Sequence, residues 1–181
     1  MVRRQTCPGH PIMPRVIMLS GPVGAGKTTT AKALLPLLDG EVAVIEGDAF
    51  WAFMPAASKK GRGELFRIAM RSMTSACIPF VRSGFDVLLD FSIPPEFLNT
   101  ARVILKETPI DFVILKPGLA VCEARAGARA EGKIADYISY RSFYDLFLDM
   151  GRFAIEDDSA DATTLAARIR DGLAAGTFRV S

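Results

Sequence analysis

The sequence contains little of the chemistry on which many enzyme classes depend. It has one histidine, His10, and three cysteines, Cys7, Cys77 and Cys122, among 181 residues. A single histidine excludes zinc sites that need two, and a Ser-His-Asp or Cys-His centre would have to recruit His10 from a proline-rich terminus. Few, widely spaced cysteines in an odd number are typical of free thiols in a reducing compartment, and not of a disulfide framework or a metal knuckle.

The chain also lacks long apolar runs and an excess of one charge. No segment reaches the roughly 18 apolar residues of a membrane span, and prolines stand where a signal peptide would need its apolar core. The 22 basic and 20 acidic residues give a net charge of +2, which is too balanced to indicate a nucleic-acid or membrane-surface protein. We therefore expect a cytoplasmic protein that binds neither nucleic acid nor a membrane.

Length and hydrophobic content are those of one globular domain. A chain of 181 residues, half of them hydrophobic, lies in the usual range for a single domain. Such a chain buries about 70% of the surface that its unfolded form exposes, so it needs no disulfide or structural metal to fold. We expect residues 1–12 to be a disordered leader and residues 13–181 to be a single domain, either monomeric or homodimeric.

Short apolar runs alternate with helical patterns along the chain. Five runs predict strands, over residues 15–20, 41–46, 86–90, 110–115 and 152–156. Helical spacing predicts helices over residues 27–38, about 65–84, 94–107, 119–130, 139–150 and 164–175. Because the strands are continuous apolar runs, we predict a parallel sheet covered on both faces, with its ligand at the carboxyl ends of the strands.

The first predicted strand is followed by a complete phosphate-loop (Walker A) motif. Residues 21–28, GPVGAGKT, match G-x-x-x-x-G-K-[ST] between a predicted strand and a predicted helix. The glycines let backbone N–H groups surround an anion, and the helix N-terminus adds donors and a favourable dipole. Lys27 can reach the β- and γ-phosphates. The residues expected to bind the nucleotide are Gly21, Pro22, Val23, Gly24, Ala25, Gly26, Lys27, Thr28 and Thr29.

An acidic residue closes the third predicted strand. Asp90 follows three apolar residues, and a carboxylate there suits a group that holds magnesium-bound water beside the phosphate loop. Many strands end in Asp for turn chemistry alone, which is the alternative. We expect the Thr28 hydroxyl and Asp90 to form a site for Mg²⁺.

Together with these residues, three further segments resemble the small P-loop kinases of the chloramphenicol phosphotransferase, zeta-toxin and gluconate-kinase kind. The segments are IEGDAFW at residues 45–51, GFDVLLDFSIPP at 84–95 and EARAGAR at 123–129. The resemblance implies an α/β P-loop NTPase sandwich of three layers, with a five-stranded parallel sheet of order 2-3-1-4-5. It also implies ATP and Mg²⁺ as cofactors and a hydroxyl-bearing small molecule as phosphoryl acceptor.

The resemblance implies that Asp48, just after the second strand, acts as base on the acceptor hydroxyl. The residue types support this role, because a carboxylate beside Phe50, Trp51 and Phe53 at a strand's carboxyl end can lie close to a bound hydroxyl. General-base catalysis of this kind contributes about 10²–10⁴ in rate. Asp48 can also cap the next helix, and the two roles are compatible. The aromatic residues either line an acceptor pocket or belong to the core.

The resemblance further implies that Arg125 and Arg129 form a lid over the phosphates, in a region around residues 125–141. Four positions apart, they would share one helical face and could neutralise charge in the transition state. The alternative is a solvated face with Glu123 and Glu131 as neighbours.

Three other arginines are less readily assigned. Arg67 and Arg71 form a similar pair in the long middle helix, where a solvated face is favoured over contact with an anionic acceptor. Arg141 belongs to the same region as the lid but carries no assignment.

The favoured function is therefore an ATP-dependent phosphotransferase that moves a phosphoryl group to a small-molecule hydroxyl. The alternative is a nucleotide-binding regulatory ATPase or switch without an acceptor. A GTPase is disfavoured because no Asn-Lys-x-Asp motif is present. The near-neutral charge argues against a polynucleotide kinase. The intact set of Lys27, Thr28, Asp48 and Asp90 argues against an inactive nucleotide binder. The sequence does not identify the acceptor.

Overall fold

The computed structural model describes residues 13–130, 132, 134 and 136–180. The expected leader at residues 1–12, with Cys7 and His10, lies outside this part of the chain. The strands are β1 (Val16–Ser20), β2 (Val42–Glu46), β3 (Asp86–Asp90), β4 (Ile110–Leu115) and β5 (Ala154–Ile155). The α-helices are α1 (Lys27–Leu34), α2 (Gly47–Ala52), α3 (Arg62–Arg82), α4 (Leu98–Leu105), α5 (Leu119–Gly127), α6 (Ile138–Asp145) and α7 (Ala162–Ala174). Short 3₁₀ turns occupy Leu35–Leu37, Pro95–Phe97 and Gly151–Phe153.

The strands form one parallel sheet of order β2-β3-β1-β4-β5, which confirms the predicted topology. In the registers of the central strands, Glu46 and Leu19 both lie opposite Asp90, and Ser20 lies opposite Ile114. The carboxyl ends of four strands therefore meet at one edge of the sheet. The segments that follow β1, β2 and β3 begin at this edge.

Helices cover both faces of the sheet, as a three-layer sandwich requires. Val16 and Met18 of β1 belong to one core cluster, which includes buried residues of α3 and α4. Ile17 and Leu19 belong to a second cluster, with residues of α1, α5 and α7. Because successive side chains of a strand point to opposite faces, a strand buried on both sides needs a continuous apolar run.

Several predicted helix and strand ends were wrong, for local reasons. The first helix ends at Leu34 instead of residue 38, because Pro36 lacks an N–H and its ring disfavours a continued α-helix, so a 3₁₀ turn follows. The fifth strand has two residues instead of five, since Gly151–Phe153 forms a 3₁₀ turn. The helix α6 ends at Asp145 instead of residue 150. The helix α2 was not predicted, because its six residues carry too little helical periodicity.

At the amino ends of the strands, charged side chains form a cluster around the buried Asp111. This carboxylate is fully buried, and it accepts hydrogen bonds from Arg15 Nη1 at 3.2 Å and from Arg179 Nε and Nη2 at 2.8 and 3.1 Å. Arg15 also contacts Asp86. The cluster, which we call the amino-end cluster, joins the residue before β1 to the C-terminal segment.

No helix in the described part of the chain is both long and apolar enough to cross a membrane.

Candidate active site

A cavity of about 690 Å³ opens at the carboxyl edge of the sheet. The phosphate loop contributes one wall, with Val23, Gly24, Gly26, Lys27, Thr28 and Thr29. The remaining walls come from the ends of β2 and β3 and from the α5 region. Gly21, Pro22 and Ala25, also expected to bind nucleotide, are not part of this lining. These three residues belong to the phosphate loop and help to set the course of its backbone.

Two loop glycines occupy positions that no other residue could take without rearrangement. Gly21 has φ +138°, and a Cβ atom there would lie 2.1 Å from the Leu115 carbonyl oxygen. Gly24 has φ +85°, and its Cβ atom would lie 2.1 Å from the Cys122 carbonyl oxygen. The loop is therefore pressed against the end of β4 and against α5, and its backbone faces the cavity because glycine permits this close approach.

Lys27 begins α1 and lies against the loop that precedes it. Its Nζ donates hydrogen bonds to the carbonyl oxygens of Gly21 at 3.1 Å and Pro22 at 3.0 Å. Removal from water lowers the pKa of Lys27 to about 8, although the nearby carboxylates of Asp90 and Asp48 partly oppose this shift. The ammonium is thus held close to where a phosphate group would lie, in surroundings that disfavour its charge until an anion arrives.

Thr28 and Asp90 both line the cavity and contact each other. The Thr28 hydroxyl donates a hydrogen bond to Asp90 Oδ2 at 2.8 Å. Burial raises the pKa of Asp90, while the Thr28 hydrogen bond and the Lys27 charge lower it. Asp90 is only 7% exposed.

These two oxygen-bearing side chains match the ligand preference of Mg²⁺, which is commonly held by one or two protein oxygens, with water and phosphate oxygens completing its shell. Among the described residues, no group of three or more His, Cys, Asp or Glu side chains is arranged to hold a metal ion by itself. The donor set therefore suits a magnesium ion that arrives with a nucleotide.

Asp48 lines the cavity from the end of β2. It lies in the first turn of α2, not ahead of that helix, and the α2 N-terminus has no side-chain cap. The helix-cap alternative for Asp48 is therefore wrong. The preceding Gly47 allows α2 to start close to β3, since a Cβ atom there would lie 2.3 Å from the Phe91 ring. Asp48 itself is exposed to the cavity.

Sequence reasoning missed Glu46, the last residue of β2, which also lines the cavity. No signal in the sequence identifies it, because its place opposite Asp90 is set by the strand register of the folded sheet. Phe91 and Ser92 complete this wall. The segment that carries them is held to β1, because the Ser20 hydroxyl donates to the Ile93 carbonyl at 2.7 Å and accepts from the Ile93 N–H at 2.8 Å.

Arg125 and Arg129 both line the cavity. The shared helical face that was expected for them is wrong, because α5 ends at Gly127 and Arg129 lies beyond the helix. Glycine is a poor helix former, and the free carbonyl of Ala126 accepts a hydrogen bond from the Ile134 N–H instead. Arg125 Nη2 donates to the Asp158 carbonyl at 3.4 Å.

The other singled-out residues lie outside the cavity lining. Arg67 and Arg71 are exposed on α3. Arg141 forms a surface ion pair with Glu123 at 3.7 Å.

The three aromatic residues near Asp48 do not line the cavity either. Phe50 and Trp51 are half-buried against the core cluster that includes α3, whereas Phe53 is 73% exposed. The structure therefore favours the core alternative for Phe50 and Trp51.

Comparison with known proteins agrees with this architecture. A family model described as chloramphenicol phosphotransferase-like protein matches residues 14–170, and the chain belongs to this family. No curated protein matches the chain. Family membership and fold together support a phosphotransferase of the P-loop kind.

Solved structures share the fold at low sequence identity. A sugar kinase from Janibacter sp. HTCC2649 is 23% identical with a TM-score of 0.66, over 89% of this chain and 95% of that one. The Mycobacterium tuberculosis APS kinase, solved with AMPPNP and APS, is 18% identical with a TM-score of 0.65, over 91% and 99%. The Deinococcus radiodurans tunicamycin resistance protein is 21% identical with a TM-score of 0.65, over 93% and 99%.

Proposed function

We propose that this member of the chloramphenicol phosphotransferase-like family transfers the γ-phosphoryl group of Mg²⁺·ATP to a hydroxyl group of a small molecule. One observation carries the proposal: a phosphate loop, an oxygen donor pair suited to Mg²⁺, a carboxylate and two arginines line a single cavity. Reactions of this type depend on positioning and electrostatic stabilisation, so the near absence of histidine is no obstacle.

The phosphate side of the cavity is proposed to bind and orient ATP. Backbone N–H groups of the loop and the N-terminus of α1 receive the phosphates, and the Lys27 ammonium exchanges its two carbonyl partners for phosphate oxygens. Thr28 and Asp90 would hold Mg²⁺, which supplies neutralisation of phosphate charge. Arg125 and Arg129 form the lid of the region around residues 125–141 and stabilise the negative charge of the transferred group.

The β2 side of the cavity is proposed to receive the acceptor. The acceptor oxygen forms a bond to the γ-phosphorus, and the bond between that phosphorus and the β,γ-bridging oxygen breaks, so that ADP leaves. The Asp48 carboxylate accepts the proton that the hydroxyl loses. Its exposure to the cavity, beside Glu46, Phe91 and Ser92, supports this assignment.

The test is ADP release from Mg²⁺·ATP across a panel of neutral, amine-bearing and acidic alcohols. We expect release to depend on an added acceptor and to fall about 10²–10⁴-fold in Asp48→Asn. Affinity for Mg²⁺·ATP should stay near that of the wild type, because the substitution leaves the phosphate loop intact. Asp39→Asn is the matched control, since Asp39 is exposed and lies outside the cavity lining.

A slow ADP release that ignores every acceptor and survives Asp48→Asn would contradict the proposal. That outcome would favour the regulatory ATPase or switch without an acceptor.

A further inference from the structure

A buried tyrosine from the lid region lies against the phosphate loop. Tyr137 immediately precedes α6, and its hydroxyl donates a hydrogen bond to the Val23 carbonyl at 2.6 Å, across 114 positions of sequence. The side chain is 2% exposed and belongs to the core cluster that includes Ala25, Cys122 and Ala126. The ring is thus held by packing, whereas the hydroxyl makes one specific contact with the loop backbone.

The contact acts on a peptide group that borders the cavity. The Val23 carbonyl and the Gly24 N–H belong to the same planar peptide, and the described chain contains no cis peptide bond. In a trans peptide these two groups point in opposite directions, so a partner that holds the carbonyl also determines where the N–H points. Gly24 lines the cavity. Gly24 has a left-handed backbone with φ +85°, and without a side chain it contributes nothing of its own to fixing the orientation of this peptide.

We propose that Tyr137 is a positioning residue that directs the Gly24 N–H toward the phosphates of the nucleotide. The tyrosine itself touches the loop backbone and not the ligand. Burial raises the pKa of the Tyr137 phenol, so its hydroxyl remains a donor at neutral and mildly alkaline pH. The inference rests on the proposed use of this loop as a phosphate site.

A tyrosine within α6 provides a matched control. The Tyr144 hydroxyl donates to the Pro117 carbonyl at 3.0 Å, and the side chain is 7% exposed. Tyr144 therefore resembles Tyr137 in burial and in the type of hydrogen bond. It differs in its partner, because Pro117 follows β4 and does not belong to the phosphate loop.

The experiment compares Tyr137→Phe with Tyr144→Phe in the full chain. Binding is titrated with Mg²⁺·ADP and, as a probe of the phosphate site alone, with inorganic tripolyphosphate. Thermal unfolding is followed in parallel. We expect Tyr137→Phe to weaken both ligands about 2- to 10-fold, as loss of one restraining hydrogen bond allows. Tyr144→Phe should bind both as the wild type does, although both variants lose comparable thermal stability.

Wild-type affinity in Tyr137→Phe would overturn the inference. So would an equal loss of affinity in both variants, since that would show a general effect of loosening α6. Failure of the proposed function can be distinguished from failure of this inference. If the wild type binds both probes but phosphorylates no acceptor, the kinase proposal fails, and the comparison of the two tyrosine variants still tests this inference. If the wild type binds neither probe, both fail.

Discussion

The amino-end cluster and the cavity are built from the same kinds of charged side chain, yet among the described residues only the cluster contains ion pairs. At the amino ends of the strands, the buried Asp111 carboxylate is matched by Arg15 and Arg179. In the cavity, Lys27, Arg125 and Arg129 face Glu46, Asp48 and Asp90. Within the part of the chain that the structure describes, none of these six forms an ion pair, although Lys27 and Asp90 influence each other's pKa.

This difference separates charges that stabilise the fold from charges kept available for a ligand. The two guanidinium partners offset the desolvation cost of the buried carboxylate, so removal of a partner destabilises the fold. The half-buried Lys27 ammonium donates hydrogen bonds to two carbonyl groups, and removal from water lowers its pKa, so its charge is disfavoured in the free protein. The cavity therefore reduces stability in the free protein, and an anionic ligand would relieve that cost.

The largest effect is expected from breaking the amino-end cluster. Asp111→Ala removes three charge-assisted hydrogen bonds to Arg15 and Arg179, leaves Arg15 with Asp86 alone, and should lower the free energy of unfolding by about 3 kcal/mol, measured by urea denaturation. Affinity for Mg²⁺·ADP should not change below the unfolding transition. Asp171→Ala is the control, because Asp171 is 68% exposed in a surface ion pair, where such pairs contribute about 0–1 kcal/mol. Equal destabilisation by both substitutions would remove the distinction between the cluster and an ordinary surface pair.

A substitution in the cavity should lower ligand affinity and leave stability largely unchanged, the reverse of what is expected for Asp111→Ala. Lys27→Met keeps most of the side-chain volume but removes the ammonium, and we expect Mg²⁺·ADP affinity to fall about 10²-fold, as loss of a partly buried charge pair implies. Urea denaturation should show no loss of stability comparable to that of Asp111→Ala, since the burial cost of the charge disappears. A large loss of stability in Lys27→Met would show that the cavity charges support the fold after all.

The smallest expected effect is a dependence of nucleotide affinity on pH. With a pKa of about 8 in the free protein, Lys27 is protonated at pH 7 and mostly neutral at pH 9. Bound phosphate favours the ammonium, so binding above pH 8 requires proton uptake, and Mg²⁺·ADP affinity should fall about tenfold between pH 7 and pH 9. Titration calorimetry over this pH range measures the affinity, and its pH dependence should be absent in Lys27→Met. A flat wild-type profile would contradict the lowered pKa.

Much of the fold follows from local sequence patterns. The five apolar runs and the helical segments between them predict a parallel sheet, because strands buried on both faces must be apolar throughout. The strand order came from a resemblance carried by the phosphate loop and three short segments. Apart from α2, which was not predicted, the errors lay at element ends, where single residues such as Pro36 and Gly127 decide how far a helix continues.

The site was predictable where its residues belong to a motif and not elsewhere. Lys27 and Thr28 lie in a contiguous pattern, and Asp48 and Asp90 follow apolar strands at recognisable positions. Glu46 was missed because nothing in its neighbourhood distinguishes a strand-terminal Glu that faces the cavity from one in solvent. Arg129 was assigned to the lid through the resemblance. It lines the cavity from beyond α5, and not from the helical face that it was expected to share with Arg125.

The sequence by itself determined the phosphate loop, the alternation of strands and helices and the edge of the sheet at which the loop lies. These are local properties, because glycine spacing and apolar periodicity act over a few residues. Only the tertiary structure decided that Glu46 lies opposite Asp90, that Tyr137 contacts Val23 and that Asp111 is enclosed by two arginines. Such contacts join residues far apart in the chain, and they depend on strand register and helix packing, which no local pattern encodes.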